Sequence, residues 1–234
     1  FYGLALLNLG MIVSIVTIYL GIQVEQSKQK ELELAESRLA IMLSQIQPHF
    51  LYNSLTAIGG LCDSEPHRAR IAVNDFADYL RGNLESLNTG KPVFFADELE
   101  HVEAYLALEQ LRFKDRLRVE MDIRTDDFVL PPITVQPLVE NAVQHGLMQR
   151  EGGGTVRIAT ALIDSGVQVT VSDDGVGFNA DASLDDGHSH TGIDNVRGRL
   201  AALCGGTLHI ASAPGTGTTA TITIPLQGAR GGLI

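Results

Sequence analysis

The spacing of apolar residues changes near Leu117, and this change constrains the fold more than any other feature of the sequence. Before it, apolar residues recur at helical spacing, as in the stripe Ile71, Phe76, Leu80, Leu84 and Leu87. After it, segments such as 117–123 alternate apolar and polar residues, as a half-buried strand does. Of the 24 glycines, 16 lie from Gly152 onward, where turns are needed. The sequence therefore predicts an α+β multidomain chain, with a helical region before an α/β domain whose helices pack on a mixed sheet.

The predicted helices and strands follow from these two spacings and from the turn and cap residues that bound each segment. Helices are predicted at about 48–61, 68–88, 97–113, 134–147 and 192–203, and strands at about 117–123, 155–163, 167–172, 207–212 and 218–224. Asp97 is predicted to be the N-cap of the third helix because its carboxylate suits that position.

The N-terminal segment 1–24 contains no charged residue. As a helix it would rise about 36 Å, enough for a hydrocarbon core of roughly 30 Å. It has neither the basic start nor the cleavage site of a signal peptide. We expect it to be the last membrane span of a longer protein, and a buried core helix is the alternative. In segment 25–46, a heptad seam predicts a short signalling coiled coil, formed by Leu32, Ala35, Leu39, Met42 and Ile46.

Charge and composition exclude several function classes. The net charge of −11 and the absence of Trp disfavour nucleic acid as a partner. The two cysteines, Cys62 and Cys204, have no metal-ligand or redox spacing and are expected to be reduced thiols. No GxxxxGK[ST] motif is present, and segment 119–234 contains no lysine, which excludes P-loop enzymes and Ser/Thr-type protein kinases.

His49 is the first candidate for chemistry, in the run Gln-Pro-His-Phe-Leu-Tyr-Asn-Ser-Leu that spans 47–55. A lone histidine in an amphipathic helix is usually structural or simply exposed. Here Pro48 fixes the backbone of the first helical turn, and Phe50 and Leu51 can anchor the helix. A neutral imidazole nitrogen is also a competent nucleophile. His49 is therefore a candidate nucleophile.

Four further sites lie in the α/β half, and each alone has an ordinary structural explanation as a turn or a polar helix face. Asn141 and His145 are four apart on one helix, where an amide oxygen suits Mg²⁺ and the histidine could reach phosphates. Asp173 ends a strand and could accept from an exocyclic amine, and the glycines after it allow close approach of a flat ring. Gly192 opens a helix, where free N–H groups bind anions. Two further glycines form a turn between strands, Gly215 and Gly217.

These four sites occur in one order over 77 residues, from Asn141 to Gly217. The order resembles the N, G1, G2 and G3 boxes of the ATP-binding domain shared by gyrase, Hsp90, MutL and histidine kinases, the GHKL superfamily with the Bergerat fold. The run at 47–55 resembles the phosphoacceptor box of the LytS/YehU-type sensor histidine kinases. The phrases at 108–113, 136–142 and 195–200 are also similar to that family, and the resemblance covers about 40–225.

The resemblance implies a domain order and a role for each candidate residue. A helical dimerisation and phosphoacceptor region would span 47–116, an ATP-binding domain 117–226 and a tail 227–234. His49 would be phosphorylated, Asn141 would hold Mg²⁺ and Asp173 would bind the adenine amine. Segment 178–191 would be the lid. The remaining residues expected around the nucleotide and its phosphates are His145, Gly175, Gly177, Gly192, Arg197 (or Arg199), Gly215, Gly217 and Thr218.

The resemblance also implies an activity, a location and partners. Pro137 stands where related ATPases place a water-activating Glu, so transfer to His49 is expected rather than hydrolysis. Phe50 stands where many histidine kinases have an acidic base, which leaves Glu140 or solvent as the base. A homodimer in the bacterial inner membrane, with its kinase part cytoplasmic, would pass the phosphoryl group to an aspartate of a response regulator. The alternatives are a degenerate kinase acting as a membrane scaffold or phosphatase, and an ATPase clamp without phosphorelay.

Overall fold

The computed structural model describes residues 11, 16–30, 48–89, 91–179 and 191–226. The chain forms two compact units that divide between Pro48 and His49. In the first unit, residues 16–30 form helix α1, and all of its side chains are exposed. Within the described residues, no helix combines the length and the apolarity that a membrane span requires. The predicted span and coiled coil, 1–24 and 25–46, fall in large part outside the described residues, as do most of the predicted lid and the tail.

Three helices begin the second unit: α2 (Pro48–Cys62), α3 (Pro66–Thr89) and α4 (Phe95–Phe113). The predicted helices are confirmed, but the prediction that Asp97 caps α4 is wrong. The helix begins two residues earlier, and the residue before it, Phe94, makes no side-chain cap hydrogen bond. A short antiparallel ladder, which was not expected from the sequence, precedes this start. Its strands, β1 (Val93–Phe94) and β3 (Val129–Leu130), pair directly before α4.

The predicted mixed sheet is confirmed, and its strands are β2 (Leu117–Ile123), β4 (Gly154–Ile163), β5 (Gly166–Asp173), β6 (Thr207–Ala213) and β7 (Gly217–Pro225). Their order across the sheet is β2-β4-β5-β7-β6. The β2–β4 pair is parallel, and the other three pairs are antiparallel. A 3₁₀ turn at Lys114–Arg116 leads from α4 into β2.

The helix that crosses from β3 to β4 changes its winding halfway along. It begins as α5 (Gln136–Asn141) and continues as a π-helical segment (Ala142–Leu147). The prediction of one α-helix over 134–147 is therefore corrected in its start and in the winding of its second half. Helix α6 (Thr191–Cys204) precedes β6, as predicted.

The two faces of the sheet differ in burial, which makes this part of the unit a two-layer α/β structure. On β5, Val167, Val169 and Val171 are buried, while the intervening residues are half-buried. Their partners on β7 are Ile224, Ile222 and Ala220, which are also buried. Asp173 follows Val171 by two residues, so its side chain lies on the same buried face of the sheet.

Candidate functional site

A cavity of about 490 Å³ lies among the α5–π helix, strands β5 to β7 and the start of α6. This volume is in the range of small-molecule and cofactor sites. Six of the residues predicted from sequence line it: Asn141, His145, Asp173, Gly177, Gly192 and Thr218. Much of the remaining wall is apolar and was not predicted, and it includes Leu138, Val171, Ile193, Ile210 and Ala220. The cavity therefore combines an apolar wall, suited to a flat ring, with a few polar groups.

Asp173 provides a buried carboxylate at the cavity wall. Its Oδ1 accepts a hydrogen bond from the Gly175 N–H at 2.8 Å. Burial raises the pKa of Asp173, while the backbone N–H groups of Gly175 and Thr218 lower it and the charge of Asp174 adds to the rise. The helix approaches closely here, because a Cβ on Gly146 would lie 2.5 Å from Oδ1. Asp173 is thus an acceptor of fixed orientation, and Gly146 is a residue of the site that the prediction did not include.

Three predicted glycines are not among the described residues that line the cavity, but they allow the backbone beside it to pack closely: Gly175, Gly215 and Gly217. Gly217 has φ 86°, and a Cβ there would overlap the carbonyl group of Asp173. A Cβ on Gly175 would overlap the backbone of Gly146. The Gly215 N–H donates to the Val176 carbonyl at 2.6 Å. These contacts pack the turn after β5 between the helix and the β6–β7 hairpin.

Asn141 and His145 both line the cavity, as their spacing of four predicted. The helix changes from α to π winding directly after Asn141. Such π segments occur often at functional sites because the extra residue per turn redirects side chains. The carboxamide of Asn141 offers a neutral oxygen to the cavity, which is a ligand type that Mg²⁺ accepts beside water and phosphate oxygens. The residues present therefore fit a nucleotide-bound magnesium ion.

Two other predicted residues lie away from the cavity wall. Arg197 is exposed and forms an ion pair with Asp194 at 3.0 Å on the surface of α6. Glu140 accepts a hydrogen bond from Gln136 Nε2 at 2.9 Å, and burial raises its pKa. The charge of Glu140 acts on Tyr79 and Tyr105, which places it on the side of the helix that faces α3 and α4.

His49 lies on the exposed side of α2, while its neighbour Phe50 is buried. The Phe50 ring packs against Tyr79 of α3 and Tyr105 of α4, with ring centroids 4.7 and 5.1 Å apart. The Asn53 amide nitrogen lies 3.0 Å from Nδ1 and 3.2 Å from Nε2 of His49. Phe50 thus anchors the helix, and Asn53 contacts the imidazole. Asn53 was not predicted, although its position four residues after His49 was visible in the sequence.

Comparison with known proteins agrees with this arrangement. Residues 37–117 match the histidine kinase family, and residues 133–228 match the family of histidine kinase-, DNA gyrase B-, and HSP90-like ATPases. The uncharacterized protein YwpD of Bacillus subtilis strain 168 is 38% identical over 82% of this chain and 72% of that protein. The sensor protein LytS of the same strain is 30% identical over 83% of this chain. The chain therefore belongs to the LytS-type sensor histidine kinases.

The match to that LytS protein covers 35% of its length, so the chain spans about a third of it. Among solved structures, the histidine kinase domain of a blue-light activated histidine kinase from Erythrobacter litoralis is similar, with a TM-score of 0.48 and 19% identity. That alignment covers 78% of this chain and 96% of the solved domain. The match of residues 133–228 to the ATPase family shows that the α/β part is the ATP-binding domain, in agreement with that part of the predicted fold class.

Proposed function

We propose that the chain is the kinase part of a two-component sensor, which phosphorylates His49 from Mg·ATP and then passes the phosphoryl group to an aspartate of a response regulator. One observation carries the proposal. A single compact unit contains both an exposed histidine on a firmly anchored helix and a nucleotide-sized cavity with a buried carboxylate. The first can accept a phosphoryl group, and the second can hold its donor.

The walls of the cavity suggest how the nucleotide binds. Asp173 would accept from the exocyclic amine of adenine, with the apolar wall against the ring. Asn141 and His145 would face the phosphates, and the free N–H groups at the start of α6 would add positive potential beside them. Mg²⁺, held by the Asn141 oxygen, would neutralise charge on the phosphates as the transferring group becomes metaphosphate-like.

In the transfer step, an unprotonated ring nitrogen of His49 attacks the γ-phosphorus. A P–N bond forms as the bond to the β–γ bridging oxygen breaks, and ADP leaves with that electron pair. The ring then loses its remaining N–H proton. Glu140 is hydrogen-bonded to Gln136 and does not line the cavity, so we propose that solvent takes this proton. In the second step the regulator's aspartate oxygen forms the new P–O bond as the P–N bond breaks, and the ring nitrogen keeps that electron pair while the imidazole takes up a proton from solvent.

We further propose that the protein is a homodimer in the bacterial inner membrane, with its kinase part in the cytoplasm and with the domain boundaries given above. Exposed apolar side chains on α2 and α3 support pairing with a second copy: Tyr52, Leu55, Ile71 and Val73. The apolar side chains of α1 support a membrane environment for 1–24, since Ile18 and Leu20 are 63% and 55% exposed.

The test is incorporation of label from γ-labelled ATP into the full chain with Mg²⁺. We expect acid-labile label in the wild type and none in His49→Gln, while His67→Gln, an exposed histidine on α3, serves as the matched control. Asn141→Ala should reduce labelling strongly, and Asn195→Ala on the exposed side of α6 should not.

The outcomes also separate the alternatives. A wild type without label would overturn the kinase proposal and favour the scaffold or phosphatase. Label that survives His49→Gln would move the acceptor elsewhere. Steady hydrolysis without label would favour the ATPase clamp.

A further inference from the structure

A short segment with unusual backbone geometry leads into the helix that bears Asn141. Ile133 has φ 54°, in the left-handed region. A β-branched residue is uncommon there, because its Cβ crowds the carbonyl oxygen that follows. Such a conformation persists only where the surrounding structure holds it in place. The groups that hold Ile133 therefore decide how the following helix is placed.

Glu98 of α4 is the first of these groups. Its Oε1 accepts the N–H groups of Thr134, Val135 and Gln136 at 2.5, 2.5 and 3.3 Å. The side chain is only 3% exposed. Burial raises the pKa of Glu98 to about 7, although the three N–H groups and Arg199 oppose the rise. One buried oxygen thus gathers the N–H groups that stand free where the helix begins.

Arg199 of α6 is the second. Its Nη2 donates to the carbonyl of Ile133 at 2.6 Å, and its charge acts on Glu98. The same helix contributes Gly192 and Ile193 to the cavity wall at its other end. The Ile133 carbonyl and the Thr134 N–H belong to one peptide group, so side chains of α6 and α4 hold both ends of the peptide that directly follows the strained residue. Neither Glu98 nor Arg199 lines the cavity.

We propose that Glu98 and Arg199 are positioning residues for the nucleotide site, which hold Ile133 and so fix where the following helix presents Asn141 and His145. This proposal rests on the proposed function, because it is the proposed function that places Asn141 and His145 beside the metal and the phosphates. Asp173 stands on β5 and reaches the cavity independently of this helix start. Loosening the helix start should therefore weaken the phosphate side of the site more than the adenine side.

The experiment measures the affinities of the full chain for Mg·ATP and for adenosine, together with its melting temperature. We expect Glu98→Ala and Arg199→Met to raise the Kd for Mg·ATP about tenfold, since small misplacements are costly in such sites. The Kd for adenosine should change less than twofold. Glu98→Gln retains an acceptor oxygen for the N–H groups and should stay near the wild type. Val167→Ala, in the core at the far end of β5, is the control for a general loss of stability and should leave the ratio of affinities unchanged.

Ile133→Gly provides a second, independent test. Glycine adopts positive φ without help from neighbouring groups. Combining Ile133→Gly with Arg199→Met should therefore restore much of the lost affinity for Mg·ATP, whereas combining it with Asn141→Ala should restore none. This test also stands if Glu98→Ala fails to fold.

Equal losses for both ligands, no loss at all, or no rescue by glycine would overturn the positioning role. A wild type that binds no Mg·ATP would instead overturn the proposed function.

Discussion

The helix that bears His49 and the cavity beside Asp173 are built in opposite ways, although both depend on a few residues. The His49 side chain is exposed, and its imidazole contacts the amide nitrogen of Asn53 on the same helix. The cavity has buried walls, and its turns are packed so closely that several glycines leave no room for a Cβ. Substitutions around the cavity should therefore have large effects that spread through the structure, whereas those around His49 should have small and local ones.

The largest effect is expected for Gly217→Ala. The new Cβ would meet the Asp173 carbonyl at a positive φ, so the hairpin must move away from β5. We expect a loss of about 2–4 kcal/mol in the free energy of unfolding and a large loss of ATP affinity, measured by melting and by titration. Gly205→Ala is the matched control, because φ is also positive (63°) but the space around it is open. It should cost only about 1–2 kcal/mol; equal losses would show that crowding at Asp173 does not matter.

Asp173→Asn should come next. The carboxamide of asparagine has only one acceptor oxygen, which can accept from either the Gly175 N–H or the adenine amine. Its NH₂ group would then face the other of these two donors and could not bond to it. Losing such a charged hydrogen bond should weaken ATP binding about 10- to 100-fold. The preference for ATP over GTP should also become smaller, because the new NH₂ group can donate to the ring oxygen that GTP has at that position. Asp174→Asn keeps the acceptor for the Thr155 N–H (2.6 Å) and serves as the control. An unchanged ATP preference would contradict the role of Asp173.

Glu109 is buried on α4, and its charge acts on Tyr79 and Tyr105, the two aromatic residues against which Phe50 packs. Burial raises its pKa from 4.5 to about 7, Arg112 lowers it and Glu140 raises it. The folded state therefore binds this proton more tightly than the unfolded state, and stability is lost as pH rises from about 4.5 to about 7. Glu109→Gln should be more stable than the wild type by about 2–3 kcal/mol at pH 8, with little difference at pH 4.5. Glu103→Gln, exposed on the same helix, should show no such dependence in melting experiments.

The contrast between the regions also explains how much the sequence could predict. The helices and strands followed from periodicity, which reflects local backbone requirements, and six cavity residues followed from the resemblance of the ordered boxes to a known family. The π segment after Asn141, the β1–β3 ladder and the buried position of Glu98 could not be found in this way. The ladder and the position of Glu98 depend on contacts between residues far apart in the chain, as when Glu98 reaches Thr134. Arg197 and Arg199 show the same limit, since spacing alone could not tell which one turns toward Ile133.

The smallest effect is expected on α2, the helix that bears His49, for Asn53→Ala. The Asn53 amide contacts the imidazole of His49 in an exposed setting, where one hydrogen bond contributes about 0.5–1.5 kcal/mol. Labelling from γ-labelled ATP should therefore fall only about two- to tenfold, with ATP affinity unchanged. Thr56→Ala removes a hydroxyl that bonds the Tyr52 carbonyl on the same helix and should not affect labelling. Because α2 is anchored by Phe50 rather than by Asn53, a loss of labelling as complete as that of His49→Gln would show that the acceptor site is as closely constrained as the cavity.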